Sequence, residues 1–526
     1  MLPFLLAASA AAQPAITTAQ YDNYRTGANL HETLLTPRNV NSAHFGKLFA
    51  MPVDGDVFAQ PLYVPRLEIP GKGLHDVVFL ATERDSVYAF DAATPSVPLW
   101  HVSFLRPAAG VNAVSWSAVH CSFIGPDIGI TPTPVIDLSS RTIYVIVRTM
   151  ERSPEGQDLF FQRLHALDLG NGAEKPGSPV VIRASVTGSA FFGLIGREVR
   201  FNAARENPRA ALLLSNGTVY IAWGSSCDVG SYYGWVLAYD ARTLKQTGVF
   251  NTAPDAGESG IWQSDAGLAA DAEGNVYGVT GNGKFTASSA GGRDFGDSVL
   301  KLGLQNGTLA VRDYFTPFNE SSLNRKDDDF GSCGPVLLPD QPGPHPHLMV
   351  AAGKAGVLYL IDRDRMGKFH AGSDSHALQT LNVASAPIYG APAYGNGHLY
   401  LFATDDVLKD YPIAGDRLAP APAHRGSYKF KNPGAIPVLS ANGSKDGMVW
   451  VVLTKGYWEK TVSANLQAYD AEDVSRLLYT TEHDPHNSPG TAVRFTMPTV
   501  ANGRVYVGSR DAVYVYGLLD SKEAKH

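Results

Sequence analysis

Residues 497–518 read MPTVANGRVYVGSRDAVYVYGL. Three strand-like runs, MPTVANG, RVYVGSR and VYVYGL, follow one another. Their valines and tyrosines fit a pleated, half-buried surface. Asn502-Gly503 between the first two is the strongest short-range hairpin signal. Nothing after Leu518 reads as a fourth strand. Moving upstream, the terminal run of this unit recurs as VYAFDA (Val87 to Ala92), LHALDLG (Leu164 to Gly170), VLAYDA (Val236 to Ala241), VLKLGL (Val299 to Leu304), LYLIDR (Leu358 to Arg363), VLKDYPI (Val407 to Ile413) and LQAYDA (Leu466 to Ala471). With VYVYGL that makes eight copies. A Val/Ile/Tyr-rich run precedes most of them, as in DVVFLATERD at Asp76 and GTVYIAWGS at Gly217. A proline-opened run stands earlier still, as in TPTPVID at Thr131 and CGPVLLPD at Cys333, and a fourth run follows, as in LWHVSF at Leu99. Asn-Gly also stands at Asn216, Asn306, Asn396 and Asn442.

Four strands per copy, repeated eight times, predict an all-β chain folded as an eight-bladed β-propeller. The last copy lacks a fourth strand, and KLFAMPV (Lys47 to Val53) stands alone before the first full copy. An open ring would leave an unpaired sheet edge, so this N-terminal strand is expected to complete the eighth blade. The expected layout is a probable export signal over 1–12, an N-terminal extension over 13–45, a single propeller over 46–518 and a tail over 519–526. The signal reading rests on apolar Leu2 to Ala12 and the Ala10-Ala11-Ala12 site-like triplet, and it predicts a periplasmic or secreted protein.

Composition narrows the function classes. The chain has 526 residues, 18% charged and 44% hydrophobic, with 52 glycines and 34 prolines. A net charge of -7 offers no basic footprint for nucleic acid. No apolar run reaches the ~18 residues that span a bilayer, so no transmembrane segment is expected. The three cysteines, Cys121, Cys227 and Cys333, cannot all pair internally. Cys121 and Cys227 lie in long inserts of neighbouring copies and are candidates for one disulfide, leaving Cys333 free; three inert buried thiols are the alternative. No C-x-x-C or C-x-x-C-H occurs, which disfavours a cysteine zinc site and covalent haem.

The copies resemble the quinoprotein repeat, and the chain resembles the pyrroloquinoline-quinone (PQQ) alcohol dehydrogenase superfamily over most of Asp54 to Leu518. Residues 260–283, GIWQSDAGLAADAEGNVYGVTGNG, are similar to the stretch in which that family places a tryptophan under the quinone plane and an asparagine on calcium. The resemblance implies Trp262 as platform and Asn282 as metal ligand. An aromatic platform suits a flat ring system, and calcium takes hard oxygen ligands. Within FTPFNESSLNRKDDDFG (Phe315 to Gly331) the resemblance implies a carboxylate base at Asp328, flanked by Asp327 and Asp329. In AAGKAGVLYLIDRDRMGK (Ala351 to Lys368), Lys354 takes the place of the cation at the quinone oxygens. Asp228 stands near the family's acidic calcium ligand, one residue out of register. Each of these also has a plain reading, as blade core, turn or solvated surface. The chain departs from the family above the quinone: adjacent disulfide-bonded cysteines are missing, and Ile128-Gly129-Ile130-Thr131 replaces the tripeptide that carries a cofactor-binding arginine. The expected activity is oxidation of an alcohol or sugar hydroxyl, with PQQ and calcium as cofactors and a soluble electron acceptor. The alternative is a non-catalytic propeller that binds an exported protein partner as an assembly scaffold.

Overall fold

The computed structural model describes residues 13–519 except 95–96, 190–196, 455, 457–461 and 483. The export-signal reading on 1–12 lies outside the described residues. Antiparallel strands group into eight blades. Their first strands are Leu62–Ile69, Val135–Asp137, Leu213–Ser215, Ala269–Ala270, Val336–Leu337, Ala393–Gly395, Val438–Asn442 and Thr499–Ala501. First strands of successive blades touch one another (blade 2 with 3, 3 with 4, 4 with 5, 6 with 7), so they form the inner ring around a central channel.

The recurrent motifs are the third strands, and their terminal aspartates have a local reason. Asp91, Asp168, Asp240, Asp362 and Asp470 each accept a backbone N–H two or three residues further on, from Ala93, Gly170, Thr243, Asp364 and Glu472 at 2.7–2.9 Å. The carboxylate thus closes the turn into the fourth strand. The Asn-Gly pairs at Asn216, Asn396 and Asn502 hold both residues at positive φ, as tight hairpin turns require.

Blade 8 closes with the N-terminal strand Phe45–Pro52, which pairs antiparallel with Ala512–Leu518. The expected strand over 47–53 is therefore the fourth strand of the last blade. Phe45 is fully buried and packs on Trp450 and Tyr479 of blade 7 and on Tyr516 of blade 8. The closing strand therefore also anchors the junction between these blades.

The segment before it runs round the channel. Ile16 pairs with Tyr63 of blade 1, Thr17 accepts from Ile136 of blade 2, and the Asn23 side chain donates to Leu214 of blade 3. Asn23, Tyr24, Thr26 and Gly27 carbonyls accept from Ala270, Leu337, Tyr394 and Leu439 of blades 4 to 7. The Asn29 side chain donates to Val500 of blade 8. This belt visits the inner strand of every blade in order. Arg25 is its keystone: fully buried, it donates to the carbonyls of Leu268, Ala19 and Leu212 and to the Thr18 hydroxyl. Ala19 and Gln20 are also fully buried, so the channel is filled at this level.

Antiparallel alternation sorts the loops. Turns between first and second strands, including Asn216, Asn396 and Asn502, point to one face. Links between blades, and loops between second and third strands, gather on the other, where every residue implied by the resemblance lies. Among the described residues, no helix is long and apolar enough to cross a membrane.

Candidate functional site

The link from blade 3 to blade 4 concentrates left-handed backbone at this face. Glu258, Ser259, Gln263, Ser264 and Asp265 all have φ between 41° and 69°. Residues other than glycine persist there only when their surroundings impose it, and such strain collects at functional sites. The link presents Trp262 between two of these turns. The indole lies on backbone: a Cβ on Gly224, Gly260 or Gly281 would come within 2.8–3.2 Å of it. Glycine is the residue type that lets chain and ring approach this closely. Tyr232 meets the ring edge-on, and the Arg209 guanidinium stands over it at 5.8 Å from the centroid. Trp262 is half-buried, and its indole N–H has no hydrogen-bond partner.

Beyond Gly281 lies a charged cluster. Lys354, on the short loop between second and third strands of blade 5, pairs with Asp329 at 2.5 Å and with Asp327 at 3.1 Å. Asn282 donates its backbone N–H to Asp329 at 2.7 Å and its side-chain amide to Asp327 at 2.5 Å. Its side-chain oxygen is buried without a partner. Burial disfavours the Lys354 ammonium, but Asp329 and then Asp327 outweigh it and hold the lysine above its ordinary range. Burial also pushes the Asp329 carboxyl up, against the opposing pull of Lys354.

The three consecutive carboxylates thus have separate places. The helix Glu320–Lys326 ends at Asp327 with φ 60°. Asp327 and Asp328 spend their N–H groups on Asn324 and Leu323 carbonyls, which closes the last turn. The chain then turns inward and buries Asp329. The structure brings together Trp262, Asn282, Asp327, Asp329 and Lys354. It leaves the Asp328 side chain outside that hydrogen-bonded cluster, although the sequence points to Asp328 as the base. Its neighbours Asp327 and Asp329 lie within the cluster, and the helix cap at Asp327 accounts for the different placements.

Asp228 is exposed, with its N–H on the Ser225 hydroxyl at 2.8 Å. It sits near enough to raise the Glu258 carboxyl, which burial raises first and Asp329 raises further. Tyr232 is held well above its ordinary range by burial and then by Asp228. Among the described residues, no three His, Cys, Asp or Glu side chains are grouped to hold a metal ion.

Glu258, Tyr232, Arg209 and Asp265 carry no motif that points to them. Asp265 is fully buried with neither carboxylate oxygen hydrogen-bonded; burial raises its carboxyl well above the ordinary range, and Arg209 opposes this. A disulfide joins Cys121, in the link from blade 1 to blade 2, to Cys227 in blade 3, while Cys333 is a free buried thiol. Both outcomes agree with the expected pairing.

These features define an eight-bladed propeller with a polar site at the loop-rich end of its axis. Its fold is that of the quinohemoprotein alcohol dehydrogenase ADHIIG from Pseudomonas putida HK5, with TM-score 0.61, 15% identity, and coverage of 96% of this chain and 80% of that one. BamB from Moraxella catarrhalis superposes less well, with TM-score 0.47 and 13% identity over 90% of this chain and 97% of that one. Sqt1 from Saccharomyces cerevisiae gives TM-score 0.49 and 10% identity over 90% and 99%. No protein-family model and no curated protein matches the sequence.

Proposed function

We propose that the axial site binds pyrroloquinoline quinone on the Trp262 face and that the protein is an exported dehydrogenase acting on an alcohol or sugar hydroxyl. One observation carries this reading: the indole packs directly on three backbone glycines, with Arg209 over the ring, and stays half-buried. That is a rigid platform for a planar ring. When bound, the quinone would supply a two-electron acceptor. Trp262 would support its plane, and the Lys354 ammonium would offer a donor at the edge. Asp329 takes the hydroxyl proton of the substrate, because it is the buried carboxylate of the cluster and its raised affinity for protons suits a general base. Lys354 fixes the Asp329 carboxylate, and Asn282 orients it through its N–H.

Calcium fits less well. Asn282 Oδ1 and Asp228 are oxygen donors of the right kind. Yet Lys354 already neutralises Asp327 and Asp329, and the described acids do not form a three-ligand group. No step is assigned to calcium. The Cys121–Cys227 disulfide supports an oxidising compartment, periplasmic or secreted. The same lysine-neutralised cluster favours the second reading, a non-catalytic propeller that binds an exported protein partner as a scaffold.

Titration of the protein with PQQ, with and without calcium, followed by absorbance and thermal shift, tests the proposal. Saturable binding that Trp262→Ala abolishes at unchanged melting temperature is the expected result. Absence of binding in both conditions overturns it. So does a Trp262→Ala variant that keeps binding but loses the ~3–5 kcal/mol of a core aromatic.

A further inference from the structure

Two cations flank the Trp262 indole, and they differ in what they already hold. Toward blade 5, Gly281 lies between the pyrrole edge of the indole and Asp329 Oδ1. Beyond it Lys354 is spent on Asp329 at 2.5 Å and on Asp327 at 3.1 Å. Toward blade 3, Gly224 lies against the six-membered ring of the indole. The strand Glu206–Pro208 pairs antiparallel with the strand that carries Gly224, with Asn207 directly opposite it. Arg209 follows two residues later and reaches the same indole.

Arg209 is unspent. Among the described residues, its side chain makes neither a hydrogen bond nor an ion pair, and its Nε is buried without a partner. The interaction it does make is with the Trp262 ring, 5.8 Å from the centroid. That is near the ~6 Å limit of a cation–π contact, so the ring restrains the guanidinium weakly. Other charges act on it at longer range. Burial disfavours its positive form first, Asp265 supports that form, and Arg494 opposes it. Asp265 is itself fully buried with neither oxygen hydrogen-bonded. Burial raises its carboxyl well above the ordinary range, which favours the neutral acid. A half-buried guanidinium with no hydrogen bonds is costly. An anion with two acceptor oxygens removes that cost.

We propose that Arg209 is the anion anchor of the axial site: the ring that stacks on Trp262 carries a carboxylate, and the Arg209 guanidinium binds it. This rests on the platform reading above and adds a requirement that stacking alone does not impose, a ligand both planar and anionic. PQQ meets it, since its ring system bears carboxylates. A ring laid on the indole moves the guanidinium to the ring's edge, and that movement breaks no hydrogen bond. At the edge, two N–H groups of the guanidinium meet both carboxylate oxygens in one plane. Lys354 does not substitute for it, because its ammonium is already held by two aspartates.

Calorimetric titration of the full chain with PQQ and with its trimethyl ester tests the assignment. The parent is expected to bind PQQ about tenfold or more tightly than the ester. Arg209→Gln is expected to weaken PQQ about tenfold or more and to leave the ester unchanged, so that the preference disappears. Its melting temperature stays that of the parent, because no hydrogen bond of the fold is lost. Trp262→Ala abolishes binding of both compounds. PQQ binding that Trp262→Ala abolishes and Arg209→Gln leaves unchanged overturns the anchor and keeps the platform. A preference for PQQ over the ester that persists in Arg209→Gln does the same. No binding of PQQ to the parent, or binding that survives Trp262→Ala, overturns both.

Discussion

Asp329 and Asp328 are neighbours in the chain with opposite physical situations. Asp329 is buried against Lys354, and removing one partner of such a pair strands the other. Asp329→Asn is expected to cost ~3 kcal/mol in chemical denaturation, whereas Asp328→Asn stays within ~0.5 kcal/mol. Equal effects from the two would show that the cluster is not ordered as described. A second residue-scale effect concerns pH. Glu83 is fully buried, accepting from Gly129 N–H at 2.7 Å and the Thr131 hydroxyl at 3.2 Å. Burial raises its carboxyl to about 8 from 4.5. Below 4.5 the folded and unfolded chains both hold the proton, and its contribution to stability is complete. Between 4.5 and 8 only the folded chain keeps it, so stability falls as pH rises through that window. Glu83→Gln cannot lose this proton. Its melting temperature should gain on the parent from pH 5 to pH 8, by the equivalent of a few kcal/mol at most. A constant difference across that range would contradict the assignment.

At the scale of elements, the closing strand Phe45–Pro52 does two jobs. Its backbone completes the blade 8 sheet, and its first side chain fills the junction with blade 7. The backbone part is shared by any strand sequence, but the Phe45 packing is specific. Phe45→Ala should destabilise the fold by ~3–5 kcal/mol, measured by denaturant unfolding. A loss under ~1 kcal/mol would mean that backbone pairing alone closes the ring. Elsewhere the elements owe their limits to short-range chemistry, with aspartates ending the third strands and Asn-Gly pairs turning the hairpins.

For the whole molecule, the belt over residues 16–29 is the device that ties all eight inner strands together. It passes beneath the site loops, and Arg25 bonds the carbonyl of Leu268 in the link that carries Trp262. Arg25→Met removes four donor contacts and leaves buried carbonyls unmet, each costing ~1–3 kcal/mol. The variant should lose at least ~3 kcal/mol of stability and show faster hydrogen exchange in the inner strands of blades 3 and 4. Slowed or unchanged exchange there would show that the belt only decorates the channel.

The sequence by itself determined the number of blades, the identity of the closing strand and the hairpin turns, and it made Cys121 and Cys227 candidates for the disulfide that the structure shows. These follow from local patterns or from counting copies. The resemblance pointed to Trp262, Asn282 and Lys354, and the structure places them together beside Asp327 and Asp329. Only the tertiary structure decided that Asp329 rather than Asp328 enters the cluster, since a helix cap rotates the chain by one residue. It alone placed Arg209 over Trp262, left Asp265 buried beside it, and threaded the belt through the ring. The reason is physical. Periodicity records which face of a strand is buried, whereas a channel site is made where loops hundreds of residues apart converge, and no local pattern encodes that meeting.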